Sequence, residues 1–584
     1  MSRIPENLER FETEPEYKKQ PVDPIYIFRG VARSAQIALP ELAENRKCTD
    51  IIVGVIFGIA VLSLFGSAVY IASNSDIRKL TNGADGCGNI CGVKNTEPYN
   101  ETCPGKDFTD YPYLDVRQEE CITANECKKR NKTLFGVRCM TEQKKTSRMK
   151  QELFSGRDYY KSTENIVPYT IIVMILMPSV SSGLAILVYI QIKRHPKCSF
   201  YFFTITTIIL LLILAAYCWY SFITLDKGTN RMTKLLILCN AVAYTVLGLV
   251  LLATIVCRYS RIYLLIEVYR ETLKAIFNSK LLLLAPLVTM AVTCFFGIIW
   301  LFMAFLTFSV KITEHEGIPP ARIGYFCFLF FMGYWIFLFI EGCQCMVVAG
   351  TIASYYFSRN RDNLEGQYCK NVRIVVRFHL GSVATGSLLI TIAAMIRILV
   401  EAATSSEDSN NWAWIILKCI INCILKLIEE IINYFSQKAY IMTAIHGKNF
   451  WSSGKRAIKI IWHNFLDTIS VDGLNSAVQF SASILILLVT LLVGWAVLIE
   501  QSEGFVILNI LFGFLLASAA LYVYFSMLTT AVGTIFLCYC EDVIMNDGSR
   551  ERPYFMSKEL EETLDEALED VAEKREAQRE EEET

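Results

Sequence analysis

One acidic residue stands inside a long aromatic and apolar stretch of the sequence, FFMGYWIFLFIEGCQC, which runs from Phe330 to Cys345. Eleven uncharged residues of this stretch precede Glu341. A carboxylate in such surroundings is costly, and it usually faces a protein interior or a water-filled cavity and marks a site. In its neutral form it could also carry a proton. A buried structural charge with a partner is the alternative explanation.

The chain around this stretch is too apolar for an ordinary soluble protein of 584 residues, because 53% of its residues are hydrophobic. Several apolar blocks lack Asp, Glu, Lys and Arg altogether and exceed the roughly 20 residues that cross a bilayer core. The composition therefore predicts an all-α polytopic membrane protein. A net charge of −1 gives no basic field that would favour a nucleic-acid partner.

Hydropathy predicts ten transmembrane helices, which must position any buried charge. The predicted spans are 51–73, 166–190, 199–225, 235–257, 281–309, 323–350, 372–398, 412–435, 475–499 and 504–538. The short loops on one side carry most of the Lys and Arg, so the positive-inside rule places both termini in the cytoplasm. The predicted domains are a cytoplasmic segment 1–49, the first helix at 50–73, an extracellular loop 74–165, a membrane domain 166–540 with helices two to ten, and a cytoplasmic tail 541–584.

The loop 74–165 supports this orientation independently. It contains six cysteines, namely Cys87, Cys91, Cys103, Cys121, Cys127 and Cys139. It also contains glycosylation sequons at Asn100 and Asn131. Disulfides persist in oxidising compartments and sequons are modified on the lumenal side, so the loop is predicted to be a disulfide-stapled, glycosylated ectodomain. Six cysteines permit fifteen pairings, and the absence of His from the loop disfavours a zinc site.

Several long motifs resemble those of the choline transporter-like proteins, a family of polytopic carriers. These motifs are RKCTDIIVGVIFG at the first span, YCWYSFITLDKG (217–228), FHLGSVATGSLLITIAAMIRILVE (378–401), AYIMTAIHGKNFWSSGKRA (439–457) and LCYCEDVIMNDGSRERPYFMSKEL (537–560). They are spread from about Arg46 to Leu560, and the ectodomain is the least similar part. The resemblance implies sodium-independent, secondary-active carriage of choline across plasma and organellar membranes, with ethanolamine as a further substrate candidate and proton exchange as a candidate coupling. Residues 166–540 would then be the transport domain.

Choline carries a permanent positive charge without an N–H, so a protein can surround its head only with aromatic faces, each worth roughly 0.5–2 kcal/mol, and with a nearby carboxylate. The candidate substrate-binding residues in the spans are Trp219, Tyr244, Trp300, Tyr334, Trp335 and Glu341. Tyr334 shares a helix face with Glu341, whereas Trp335 lies well round the helix. Trp300 and Trp335 fall where the resemblance expects Trp, but the family pattern has an apolar residue in place of Glu341. Interfacial anchoring and helix packing are the alternative roles, and anchoring is favoured for Trp219.

The eighth predicted span carries a polar stripe at helical spacing. Its members are Lys418, Asn422, Lys426, Glu430 and Asn433, with Glu429 beside them. The stripe could line a transport pathway or form a buried structural ladder. A third interpretation is that this helix lies in the membrane interface and does not span.

Two amphipathic segments, RYSRIYLLIEVYRETLKAI and KRAIKIIWHNF, are predicted to form interfacial helices on the cytoplasmic side. In the motif that opens the seventh span, His379 is expected to be structural rather than to transfer protons. Gly381 and Gly386 in the same motif are small enough to let helices approach closely or hinge.

The sequence gives no sign of an enzyme, because Walker A, GxGxxG, HExxH and GxSxG motifs are absent. No cofactor is expected, and the predicted partners are choline and the lipid bilayer. The predicted location is the plasma membrane, as a multi-pass protein, with organellar membranes as further candidates. The alternative function is a non-transporting cell-surface receptor or adhesion protein built around the ectodomain. Polar, charged and small residues inside several spans favour the carrier.

Overall fold

The structure is a computed structural model. It describes residues 46–562 except for 76–77, 79–81, 96–103, 131, 136, 142–155, 225–230, 258, 310–319, 360, 362–365, 406–411, 500, 502 and 547–548. The predicted glycosylation sites Asn100 and Asn131, together with Cys103, lie outside these described residues.

Long helices make up most of the described chain. In chain order they are α1 Ile51–Asn74, α2 Ala124–Lys129, α3 Gly156–Arg194, α4 Pro196–Thr224, α5 Arg231–Cys257, α6 Tyr259–Asn278, α7 Ala285–Ser309, α8 Pro320–Tyr356, α9 Gln367–Ile374, α10 Leu380–Ser405, α11 Trp412–His446, α12 Phe450–His463, α13 Phe465–Leu498 and α14 Glu503–Met545. A short 3₁₀ turn precedes α7, and a π-helical turn joins α9 to α10. This architecture confirms the all-α polytopic fold that the composition predicts.

Within the described residues, nine helices are long and apolar enough to cross a bilayer, and they correspond to nine of the ten predicted spans. The remaining predicted span, 412–435, falls in α11, whose charged stripe sets it apart from the others. α11 is nevertheless one helix of 35 residues, which gives it a length of about 50 Å. It packs along α8 and α10, and the tenth span stays a prediction.

Helix α8, which carries Glu341, lies at the centre of the bundle and contacts α7, α10, α11 and α14. One hydrophobic core forms where α6, α8, α11 and α14 meet, and a second joins α1, α7 and α8. Each face of α8 therefore meets a different neighbour. The face of α8 on which a side chain lies therefore determines which neighbouring helix it contacts.

The predicted ectodomain contains a small four-stranded sheet. Its strands are β1 Tyr113–Asp115, β2 Glu120–Ile122, β3 Lys132–Phe135 and β4 Arg138–Thr141, in the order β2-β1-β4-β3. Strands β1 and β4 pair in parallel, and the other two pairs are antiparallel. Disulfides join Cys91 to Cys121 and Cys127 to Cys139, and Cys87 is also disulfide-bonded. These bonds confirm the prediction of a disulfide-stapled loop and define two of its pairings.

The segment before α1 packs against the starts of α10 and α12. Thr49 Oγ1 lies 3.0 Å from Nδ1 of His379, and Asp50 accepts a hydrogen bond from the backbone N–H of Phe450 at 2.8 Å. Gly381 permits this approach, because a Cβ there would clash with the carbonyl oxygens of Thr49 and Asp50. These contacts agree with the structural role expected of His379.

The two amphipathic segments form helices with different surroundings. α6 contacts α3, α8 and α14 and buries Leu265 and Leu273 in the core. α12 instead leaves Trp451, Ile458 and Trp462 exposed. The exposed apolar side chains of α12 agree with a position in the membrane interface. The apolar face of α6 is instead covered by protein, so α6 is part of the packed bundle.

Candidate functional site

Glu341 points from the middle of α8 towards α14. Its Oε1 atom accepts a hydrogen bond from the Tyr522 hydroxyl at 2.5 Å and another from the Ser526 hydroxyl at 3.3 Å. Both of these hydrogen bonds go to Oε1, and none to Oε2 is seen among the described residues. The carboxylate is therefore held in place by two neutral donors, and it has no cationic partner within the described part of the chain.

A narrow cleft between α7, α8 and α14 begins at this carboxylate. It is lined by Thr289, Thr293, Phe337, Glu341, Gln344, Tyr522, Val523 and Ser526. Tyr522 also keeps half of its surface exposed. The enclosed space has room for about one water molecule. The cleft thus combines one carboxylate, two aromatic rings and several neutral polar groups.

Gln344 lies one helical turn beyond Glu341 and borders the same cleft. It is buried, with 7% of its surface exposed. Its Nε2 atom donates to the carbonyl oxygen of Val523 at 3.1 Å, while its Oε1 atom lacks a hydrogen-bond partner among the described residues. Gln344 is thus a buried residue at the edge of the cleft, and its Oε1 acceptor is unpaired as far as the described residues go.

Further acidic side chains from α11 lie near the cleft. Glu430 is close enough to act electrostatically on both Tyr522 and Tyr334, and Tyr334 is also within electrostatic range of Glu341. Glu429 instead pairs with Arg397 of α10, whose Nε lies 2.5 Å from its Oε2. Tyr334 and Glu341 thus share one acidic neighbourhood, as their spacing on α8 predicts.

The polar stripe of α11 is only partly used in pairing with other helices. Lys418 donates to the carbonyl oxygen of Thr404 at 2.8 Å, about two turns along α10 from the Arg397–Glu429 ion pair. Lys426 and Glu430 remain exposed. Lys418 of the stripe thus bonds to α10, whereas Lys426 and Glu430 form no ion pair among the described residues. A transport pathway, a structural ladder and an interfacial helix all remain predictions for this stripe.

Trp335 lies on a different face of α8, away from the cleft. It is 3% exposed, and its indole N–H is placed to donate to the carbonyl oxygen of Ala384 at 3.3 Å or to Oγ of Ser387 at 3.2 Å. Its ring meets that of Phe57 edge to face, with 5.0 Å between the centroids. Trp335 thus joins α8 to α1 and α10.

Trp300 packs in the same core as Trp335, between α7 and α8. Its indole N–H donates to the carbonyl oxygen of Leu329 at 2.9 Å. Gly333 makes room for the ring, because a Cβ at that position would clash with it. Trp300 and Trp335 are therefore near one another, but the residues that line the Glu341 cleft do not include them.

Trp219 and Tyr244 lie on the neighbouring helices α4 and α5. The Trp219 indole N–H donates to Oγ1 of Thr245 at 3.2 Å, and Tyr244 packs against a small core that contains Leu211 and Ala477. The structure thus divides the six candidates among three places: Glu341 and Tyr334 near the cleft, Trp300 and Trp335 in a core, and Trp219 and Tyr244 between α4 and α5.

Sequence reasoning did not include Tyr522, Ser526 or Gln344 among the candidate binding residues. Tyr522 and Ser526 are four residues apart and share one face of α14, but many pairs in the spans have this spacing. Nothing local indicates that this face meets Glu341, which lies 181 residues away in sequence from Tyr522.

The fold and the cleft define a class of protein: a polytopic membrane protein whose spans enclose an anionic, aromatic-lined site. The model of a family described as plasma-membrane choline transporters matches residues 242–543, which include every residue that lines the cleft. Since the match covers more than half of the chain, this protein belongs to the choline transporter family.

Several curated proteins are similar to this chain. Choline transporter-like protein 1 of Torpedo marmorata is 27% identical over 610 residues, which cover 90% of this chain and 93% of that protein. Choline transporter-like protein 1 of Xenopus laevis is 31% identical over 346 residues, 57% of this chain and 52% of that protein. Choline transporter-like protein 3 of Bos taurus is 29% identical over 361 residues, 58% of this chain and 54% of that protein. The chain thus aligns with about half the length of the frog and bovine proteins and with nearly all of the Torpedo protein.

Proposed function

We propose that this protein carries choline across a membrane by a secondary-active, sodium-independent mechanism. Ethanolamine as a second substrate, exchange for protons and residence in the plasma membrane belong to the same proposal. The protein would then act as a carrier and not as an enzyme. Membership of the choline transporter family supports the substrate, and the Glu341 cleft supplies a physical means of binding it.

The observation that carries the proposal is the carboxylate of Glu341 beside the rings of Tyr522 and Phe337. A quaternary ammonium cannot donate a hydrogen bond, so it is bound through charge and through aromatic faces. Both hydrogen bonds to Glu341 go to its Oε1 atom, and none to Oε2 is seen among the described residues. A cation that entered the cleft would find its counter-charge already oriented.

Binding requires the cleft to widen, because its enclosed space holds only about one water molecule. We propose that α7 and α14 move relative to α8, which would open the cleft to one side of the membrane at a time. The half-exposed Tyr522 marks the side from which widening would begin. In this scheme the described conformation is a closed one.

Proton exchange follows from competition for one carboxylate. Glu341 would be ionised while it holds the cation and protonated when the cation leaves. Ethanolamine fits the same scheme, because its ammonium group can donate hydrogen bonds to a carboxylate directly. A proton gradient directed out of a vesicle should therefore drive choline inward.

The test is uptake of labelled choline into liposomes that hold the purified full chain. We expect saturable uptake that is faster when the lumen is more acidic than the medium and unchanged when potassium replaces sodium. Ethanolamine should compete, and liposomes without protein provide the background. Uptake no greater than that background would refute the carrier and favour the receptor or adhesion role.

A further inference from the structure

We propose that Gln344 accepts the hydrogen bond of the choline hydroxyl and so makes the cleft selective for hydroxylated ammonium ions. This inference rests on the proposed choline transport, and it goes further by naming the residue that recognises the uncharged end of the substrate. It starts from the buried Oε1 atom of Gln344, for which the described residues offer no hydrogen-bond donor.

The orientation of the Gln344 amide is fixed by its neighbour. The carbonyl oxygen of Val523 can only accept a hydrogen bond, so the atom 3.1 Å from it must be the Nε2 donor. The Oε1 atom is thereby directed elsewhere, and it is buried without a hydrogen-bond partner among the described residues. Buried polar atoms usually have a hydrogen-bond partner, so this acceptor is available to a donor group on a ligand that enters the cleft.

Oε1 of Gln344 can only accept, and it belongs to the residue that borders the cleft beside Glu341. The two residues are three apart on α8, which places them one above the other on the same helix face. A substrate with a cationic head and a hydroxyl two carbons away matches this arrangement, because the head can approach the carboxylate while the hydroxyl donates to the amide.

Selectivity follows from the cost of leaving such an acceptor unpaired. A site built to hydrogen-bond a substrate hydroxyl rejects an analogue that lacks it far more strongly than an apolar site of the same shape does. Ethyltrimethylammonium has the charge and nearly the shape of choline without its hydroxyl. We therefore expect it to compete with choline uptake at least about tenfold less well than unlabelled choline itself.

The experiment measures inhibition constants for choline and ethyltrimethylammonium against labelled choline uptake in proteoliposomes. In Gln344→Met, which keeps a long side chain and removes the acceptor, the choline constant should rise about tenfold while the analogue's stays within about twofold. The matched control is Gln479→Met, since Gln479 donates to Thr529 of α14 from α13 and is absent from the cleft lining. That variant should keep the wild-type ratio of the two constants.

O-Methylcholine tests the same point without any variant. Its ether oxygen cannot donate, so it should inhibit wild-type uptake about as poorly as ethyltrimethylammonium does. Equal inhibition by choline and both analogues, or an unchanged ratio in Gln344→Met, would refute the role of Gln344 and leave choline transport standing. Absence of saturable uptake by the wild-type protein would instead refute both proposals.

Discussion

At the scale of single residues, the carboxylate of Glu341 is the unusual group. Its Oε1 atom is hydrogen-bonded to Tyr522 and Ser526, so the side chain has a fixed direction. Its partners are neutral, which distinguishes it from Glu429, whose charge is balanced by Arg397. The proposed binding of a cation by Glu341 depends on this difference.

Glu341→Gln tests the charge with little change in size. We expect choline affinity to fall about tenfold, equivalent to about 1.4 kcal/mol, because the counter-charge is lost. In the wild type, a lower external pH should slow uptake, since protons compete with choline for the carboxylate, and the variant should lose this dependence. Uptake is measured in proteoliposomes at several external pH values.

Glu401→Gln is the control for Glu341→Gln. Glu401 is exposed near the end of α10, forms an ion pair with Arg397 and is absent from the cleft lining. It should retain the wild-type pH dependence. A Glu341→Gln protein whose affinity and pH profile match those of the wild type would remove Glu341 from the mechanism.

Trp335 and Trp300 remain predicted substrate-binding residues, yet their surroundings also explain them as packing groups. For Trp335→Phe we expect a melting temperature several degrees lower, because the indole hydrogen bond to α10 and part of the contact with Phe57 are lost. Choline affinity should stay within about twofold of the wild type. Thermal unfolding measures the melting temperature, and uptake kinetics measure the choline affinity. A loss of affinity at an unchanged melting temperature would support the predicted binding role of Trp335.

At the scale of elements, the end of α14 holds the chain that follows it. Asp542 accepts hydrogen bonds from the backbone N–H groups of Phe555 and Met556 at 2.8 and 2.9 Å and from the Tyr356 hydroxyl at 3.1 Å. Arg359 donates to the carbonyl oxygens of residues 553 and 554. The segment 549–562 is thus fastened to α8 and α14 by a few polar contacts.

Asp542→Ala should release this segment. We expect faster amide hydrogen exchange across 549–562, because two backbone N–H groups lose their acceptor and the buried contacts around Met556 and Leu560 loosen. Exchange followed by mass spectrometry on the full chain measures the effect. The control is Glu551→Ala, at an exposed position in the same segment, which should leave exchange unchanged. Unchanged exchange in Asp542→Ala would show that other contacts hold the segment.

The small ectodomain sheet is likewise organised by one carboxylate. Asp115 is buried on β1, within 2.6 Å of Lys132 Nζ and 3.0 Å of an Arg130 nitrogen. Burial opposes its ionisation, but hydrogen bonds from Lys132, the backbone N–H of Arg117 and Arg130 outweigh burial and lower its pKa. The ionised form is therefore the one that joins β1 to β3 and to the end of α2.

A lowered carboxyl pKa stabilises the folded state above the pKa of the unfolded chain, and this stability is lost as the pH falls through the folded value. We therefore expect the sheet to loosen in acid. Amide hydrogen exchange across residues 113–141, corrected for the intrinsic rate at each pH, should be faster at pH 3 than at pH 6. Asp115→Asn should loosen the sheet at pH 6 already and reduce the difference between the two pH values. If hydrogen exchange depends on pH equally in the variant and in the wild type, a group other than Asp115 causes the dependence.

At the scale of the whole molecule, the number of spans decides which loops share a side of the membrane. If α11 spans, the loop 401–411 lies on the side opposite to both termini. An epitope inserted in that loop should then be labelled in intact cells, whereas a tag after residue 584 should be labelled only after permeabilisation. Labelling of both in intact cells, or of neither, would contradict the ten-span topology.

The sequence by itself determined the class of this protein, because long uncharged blocks can satisfy their backbone hydrogen bonds in a bilayer only as helices. It also indicated the disulfide-stapled loop, since its cysteines lie between two spans, and motifs spread along the chain indicated the family. Glycines such as Gly381 signalled close approach without naming the partner.

Only the tertiary structure decided which side chains meet. Most spans are apolar on every side, so their periodicity does not show which face of one helix contacts which neighbour. The rotation of α8 directs Glu341 and Gln344 to α14 and Trp335 to α1 and α10, although all three lie within ten residues of sequence. The partner of Glu341 could not be deduced locally, because Tyr522 reaches it through the packing of two helices that are distant in the chain.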